Sequence, residues 1–108
     1  MNAVRTASLL AIAALATTVH SQAQFDAAEI ELGHRQFDRT CAQCHGRNMV
    51  NSGTTSYDLR RFPVDQPDRF INSVTNGKNN MPAFKEALTP EQVKVLWAYV
   101  GSRGGKEP

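Results

Sequence analysis

From Asp26 to about Thr40, apolar or small residues recur at Ala27, Ile30, Gly33 and Phe37, with charged residues between them. That is the period of a helix with one buried face. Gly33 falls in its interior, where glycine costs roughly 1 kcal/mol relative to alanine, so the position predicts a closely packed neighbour. A second run opens at Pro67, suited to a first helical residue because it has no N–H to leave unpaired. Phe70, Ile71 and Val74 make its apolar face, and Asn76-Gly77 stops it. The third run has the sharpest start: Thr89 offers an N-cap hydroxyl, Pro90 opens the first turn, and Gln92 stands at capping-box spacing. Val93, Leu96, Trp97 and Val100 then share one face with Tyr99 beside them, while Gly101 and Gly104 predict a fraying end. Residues 46–64 hold Gly46, Asn48, Asn51, Ser52, Gly53 and Pro63 without a sustained period, and read as loop with one turn around Tyr57 to Arg60. No strand pattern or repeat competes. The expectation is an all-α fold of three to four short helices and long loops.

The N-terminus follows a different logic. Met1 to Arg5 carry one positive charge, Ala7 to Val19 form an uncharged, mostly apolar run of 13 positions, and Ser21-Gln22-Ala23 sets small residues at cleavage spacing. These are the parts of a secretory signal peptide over residues 1–23. A run of that length falls short of the roughly 20 residues needed to span a bilayer. The expectation is an exported, periplasmic, monomeric protein starting near Gln24, without a stable membrane anchor. Its domain, 24–108, keeps 85 of the 108 residues, so few that the core is marginal unless something else helps to fill it. Two cysteines supply no disulfide framework.

Net charge is +2, or +1 once Arg5 is removed with the leader. That balance excludes the strongly basic surface of a nucleic-acid binder. The charges are unevenly placed, with Asp26, Glu29, Glu31 and Asp38 on the first helix and Arg60, Arg61, Arg69, Lys78 and Lys85 in the middle. The basic group reads either as ordinary solvated surface or as a docking patch.

The segment Cys41-Ala42-Gln43-Cys44-His45 carries the chemistry. Cys-x-x-Cys-His lets two thiols add to the side arms of one haem while the adjacent imidazole reaches its iron. Three other readings compete. A thioredoxin-like dithiol wants a strand leading in, but a helix precedes this motif. A structural zinc wants four ligands, and beyond His45 only His34 follows the leader. A local disulfide leaves His45 unexplained and closes too small a ring to stabilise much.

A haem held by His45 has one further axial position. Met49 lies four residues on, a reach of at most about 14 Å, too short to round the macrocycle without strain. His34 sits on the helix that delivers the proximal side and reads as surface or packing. Met81 is 36 residues from His45, on Gly77-Lys78-Asn79-Asn80-Met81-Pro82, where Pro82 biases it towards extended backbone. The alternative, a gap-filling core methionine, stands beside this reading. Imidazole opposite thioether raises the potential and leaves the iron no open position for substrate, so no catalytic base or nucleophile is implied.

With these residues in view, the chain resembles the small class I c-type cytochromes over the whole of 24–108. The marks are Cys41, Cys44 and His45 at the haem, Gly33 and Phe37 on the first helix, Met81-Pro82 on the distal loop, and Leu96-Trp97-Ala98-Tyr99-Val100 on the last. The resemblance implies one covalent haem c ligated by His45 and Met81, and first and last helices that cross at the glycine and an aromatic residue. The stretches Asp58-Leu59-Arg60-Arg61-Phe62-Pro63 and Arg69 to Pro82 are similar to periplasmic cytochromes that accept electrons from quinoprotein (PQQ) alcohol dehydrogenases. An electron carrier between such a dehydrogenase and a downstream oxidase or cytochrome is therefore implied. The alternatives are a donor to a terminal oxidase or reductase, a gas-binding or catalytic haem protein, and a thiol-disulfide oxidoreductase. Arg60, Arg61 and Lys78 are candidates to neutralise haem propionates, and Trp97 or Tyr57 to hydrogen-bond one; solvation and packing explain them equally. Many family members place a proline after the motif to orient the imidazole, but residues 46–53 contain none, leaving the acceptor for His45 Nδ1 unassigned.

Overall fold

The first and last of the helices begin where a side chain replaces a missing intrahelical partner of the first N–H groups. In the computed structural model, which describes residues 24–51 and 56–107 together with Ala3 and Ala11, the Asp26 carboxylate accepts from Ala28 N at 2.7 Å and starts α1, Ala27–Thr40. A single residue, Cys41, separates it from α2, Ala42–His45. Short 3-10 turns at Arg47–Met49 and Leu59–Arg61 follow, then α3, Pro67–Asn76, and α4, Pro90–Gly101. Among the described residues no strand forms, and no helix is long and apolar enough to cross a membrane. The leader expected over residues 1–23 falls outside the described residues, apart from Ala3 and Ala11.

The crossing of α1 and α4 organises the rest. A Cβ on Gly33 would lie 1.8 Å from the Val95 carbonyl oxygen and 2.9 Å from Tyr99 Cβ. Only glycine permits that approach, which supplies the close neighbour its place in the helix demanded. Polar ties flank the contact: Lys94 Nζ meets Glu29 Oε1 at 3.3 Å, and Gln92 Nε2 donates to the buried Gln36 Oε1 at 3.4 Å.

α4 is more deeply embedded than one apolar face requires. Its capping box is complete, with Gln92 N on Thr89 Oγ1 at 3.2 Å and Thr89 N on Gln92 Oε1 at 2.8 Å, and every residue from Leu96 to Gly101 is buried. The fraying expected at Gly101 and Gly104 does not occur. A Cβ on Gly101 would be 2.8 Å from Phe25 Cζ, so Phe25 packs over the helix end. Gly104, at φ 75°, returns its N–H to Tyr99 O at 2.8 Å, and the fully buried Ser102 hydroxyl donates to Tyr99 O at 3.2 Å. The end is a closed left-handed stop.

On α3, Phe70 and Val74 are buried, whereas Ile71, expected on the same face, is 40% exposed. Phe70 meets Phe62 and Trp97 with ring centroids 5.7 and 5.2 Å apart, and Phe62 meets Trp97 at 5.8 Å. This aromatic cluster joins α3 and α4 to the loop after Leu59–Arg61.

Candidate functional site

α1 ends against the motif: Cys41 N donates to Phe37 O at 2.8 Å, and His45 N to Cys41 O at 2.9 Å. One tight turn therefore presents Cys41, Cys44 and His45. Cys41 is partly buried and Cys44 exposed, and no disulfide joins them. Burial, and then the Cys44 thiol beside it, push the Cys41 thiol up to about 12. A dithiol oxidoreductase needs the reverse, a thiol acidified towards thiolate. Zinc fares no better, since among the described residues no group of three or more His, Cys, Asp or Glu side chains is placed to hold a metal ion.

The acceptor for His45 is a backbone atom. Its Nδ1 lies 3.1 Å from the Tyr57 carbonyl oxygen. A carbonyl only accepts, so Nδ1 carries the proton and the lone pair is left on Nε2.

Met81 is held by its own loop. Lys78 N donates to Met81 O at 3.1 Å, and Met81 N to Lys78 O at 2.9 Å. Asn79, at φ 53°, and Gly77, at φ 78°, supply left-handed backbone around this exchange, and a Cβ on Gly77 would be 2.7 Å from Met81 O. The chain then returns to α3, with Phe84 N on Val74 O at 2.9 Å and Lys85 N on Thr75 O at 3.2 Å.

Cys41, His45 and Met81 line one cleft. Its other walls are Phe37 from α1, Leu59 and Phe62 from the middle loop, and Phe70, Ser73 and Val74 from α3. A larger groove of about 400 Å³ runs between Ile71 and Thr75 of α3, Leu88, and Pro90 and Val93 of α4. It shares no residue with the cleft and holds no imidazole, thiol or thioether.

The other candidates are accounted for elsewhere. Met49 is 3% exposed and belongs to the core. His34 stacks on Tyr99, centroids 4.6 Å apart, while its Nε2 lies 3.0 Å from Asn48 Oδ1 and 3.6 Å from Asp38 Oδ2. It is a packing residue. Burial, and then the Asp38 carboxylate, raise the Tyr99 phenol above its ordinary range. Arg60 closes on Asp58 with two contacts of 2.9 Å, and the Tyr57 hydroxyl donates to Arg61 O at 3.2 Å. Arg61 and Lys78 remain exposed.

Residues 28–100 match the family described as cytochrome c oxidase, cbb3-type, subunit III. The chain belongs to the small class I c-type cytochromes. This cytochrome is 42% identical to cytochrome c6 of Nostoc sp. across 68% of its own length and 70% of that protein. It is 36% identical to the quinohemoprotein alcohol dehydrogenase ADH-IIG of Pseudomonas putida over 72% of its length, but only 11% of the dehydrogenase. The solved structure of that enzyme superposes with a TM-score of 0.64 at 35% identity, over 74% of this chain and 12% of the enzyme. Cytochrome c6C from Synechococcus sp. gives 0.57 at 26% identity, over 71% and 99%. The cytochrome is thus an electron carrier rather than an enzyme, and its cofactor is covalent haem c.

The cleft fits that group by its donor set. An imidazole nitrogen and a thioether sulfur are the two ligand types that haem iron takes in an electron-transfer site, and the remaining walls are apolar except for Ser73. What sequence reasoning missed is the Tyr57 carbonyl. A main-chain oxygen has no residue signature, and only the fold brings it to a side chain 12 positions earlier.

Proposed function

We propose that the protein is a periplasmic one-electron carrier, exported through residues 1–23 and active as the domain 24–108. Cys41 and Cys44 are its thioether attachments, His45 Nε2 the proximal ligand and Met81 Sδ the distal one. The observation that carries this reading is the convergence of Cys41, His45 and Met81 on one apolar cleft, with His45 Nδ1 engaged at 3.1 Å by Tyr57 O. When bound, haem supplies the Fe(III)/Fe(II) couple. The chain's own residues do the rest: Tyr57 keeps the proton on Nδ1, the Gly77–Pro82 loop presents Met81, and Phe37, Phe62 and Phe70 exclude water from the cleft wall. Low polarity there disfavours the oxidised, more highly charged site and so raises the potential.

The electron donor is a quinoprotein alcohol dehydrogenase, and a terminal oxidase or another cytochrome receives the electron. Similarity to the dehydrogenase-linked cytochrome domain supports the first partner, and the oxidase-subunit family supports the second. Exposed Arg61 and Lys78, which make no salt bridge among the described residues although Asp58 lies near enough to feel the Arg61 charge, suit an acidic partner surface.

The test begins with the pyridine haemochrome of the purified protein, which must show thioether-linked haem. The oxidised parent must then show the methionine-to-iron charge-transfer band, lost in Met81→Ala and kept in Met49→Ala. A parent without the band sinks the ligand assignment. Mixing the oxidised protein with such a dehydrogenase and its alcohol tests the partner: reduction no faster than that of an unrelated cytochrome rejects it.

A further inference from the structure

The proximal hydrogen bond depends on where one backbone carbonyl points, and the chain uses side chains to fix it. A carbonyl's direction is set by the torsions on either side of it, so an acceptor on a loop is only as well aimed as the loop is closed. On the N-terminal side, Asn51 Nδ2 donates to Ser56 O at 2.6 Å, immediately before Tyr57. On the C-terminal side, the Tyr57 hydroxyl reaches forward to Arg61 O at 3.2 Å, and its ring sets an edge against Phe62 at 6.3 Å. Asp58 caps the same turn by accepting from Arg60 N at 3.0 Å, and Arg103 Nη1 adds a long bond of 3.4 Å to Leu59 O.

We infer that Tyr57 is a positioning residue for the proximal imidazole through both ends: its carbonyl accepts from His45 Nδ1, and its hydroxyl, by closing the Tyr57–Arg61 turn, holds that carbonyl in place. The inference rests on His45 being the iron ligand. Tyr57 is 49% exposed and outside the buried core, so the hydroxyl is separable from the fold. A firm Nδ1–H···O bond makes the imidazole more basic and favours the oxidised iron. Loosening the turn weakens that bond, and the potential rises.

Tyr57→Phe removes the hydroxyl and keeps the ring edge on Phe62. The measurement is made on the haem-loaded full protein, parent and variant side by side, reading the midpoint potential, the exchange of the His45 Nδ1 proton with deuterium by NMR, and the methionine-to-iron band. The expected result is a higher potential and several-fold faster Nδ1 exchange, with the band retained. An unchanged or lowered potential, unchanged exchange, or loss of the band in the variant alone overturns the inference. If the parent itself lacks the band, the ligand assignment fails instead, which separates the two failures.

Discussion

At position 33 the competing terms differ in size. Alanine would gain roughly 1 kcal/mol of helix propensity over glycine. Its methyl, however, would stand 1.8 Å from the Val95 carbonyl oxygen, a backbone atom that no rotamer change can move. Overpacking of that kind costs about 1–3 kcal/mol and more when backbone must shift, so the clash wins. Gly33→Ala is expected to lower unfolding free energy by on the order of 3 kcal/mol, measured by denaturant titration of the haem-loaded protein. A neutral effect would show that α1 and α4 part freely. Gly33 was legible because glycine inside a helical pattern is an anomaly that demands a neighbour. His34 was legible only as packing or surface: its stacking on Tyr99 and its contact with Asn48 join residues whose spacing carries no period. Tyr57 was harder still, since its contribution to His45 comes from the main chain.

Elements with strong local punctuation were read closely, and those built by long-range burial were not. The box at Thr89 and Gln92, the proline at Pro67 and the run from Asp26 to Thr40 each place a helix boundary by local hydrogen bonding or steric fit. The end of α4 at Gly101 was legible, but its closure was not, because Phe25, which packs at Gly101, lies outside any local window. The Arg47–Met49 turn was also missed; its Asn48 and Met49 adopt positive φ of 57° and 61°, conformations imposed by the chain's return to the core rather than favoured by methionine. At the Met81 loop the glycine is local and decisive. Gly77→Ala must accept a φ of 78° with a ψ of 167° and a Cβ 2.7 Å from Met81 O; that backbone region is essentially open to glycine alone and costs another residue on the order of 1–3 kcal/mol. The Lys78–Met81 exchange is the nearest structure able to yield. The variant is expected to weaken the methionine-to-iron band while leaving far-ultraviolet circular dichroism of the helices unchanged. A full-strength band in Gly77→Ala would mean that the loop does not hold Met81.

Across the whole molecule, the two halves of the core are stabilised by different things. α1 and α4 pack chain against chain: Gly33 on Val95, Phe37 and His34 on Tyr99, Glu29 on Lys94, Gln36 on Gln92. α3 instead turns Phe70, Ser73 and Val74 to the cleft that also holds His45 and Met81. Beyond its own helix it is tied by the Phe84 and Lys85 amides and by Phe70 in the aromatic cluster. A chain this small needs a further apolar body to complete its core, and the haem would complete the α3 side far more than the crossing. Stability should therefore divide along that line when the anchors are removed. In the Cys41→Ala/Cys44→Ala double variant, amide hydrogen exchange is expected to be fast throughout α3 and the Met81 loop, and measurably slower in α1 and α4. The haem-loaded parent should protect all three long helices. Equal protection of α3 and α4 in the double variant would show that the aromatic cluster alone closes the cleft, whereas equal loss would show that the α1–α4 crossing cannot stand without the cofactor.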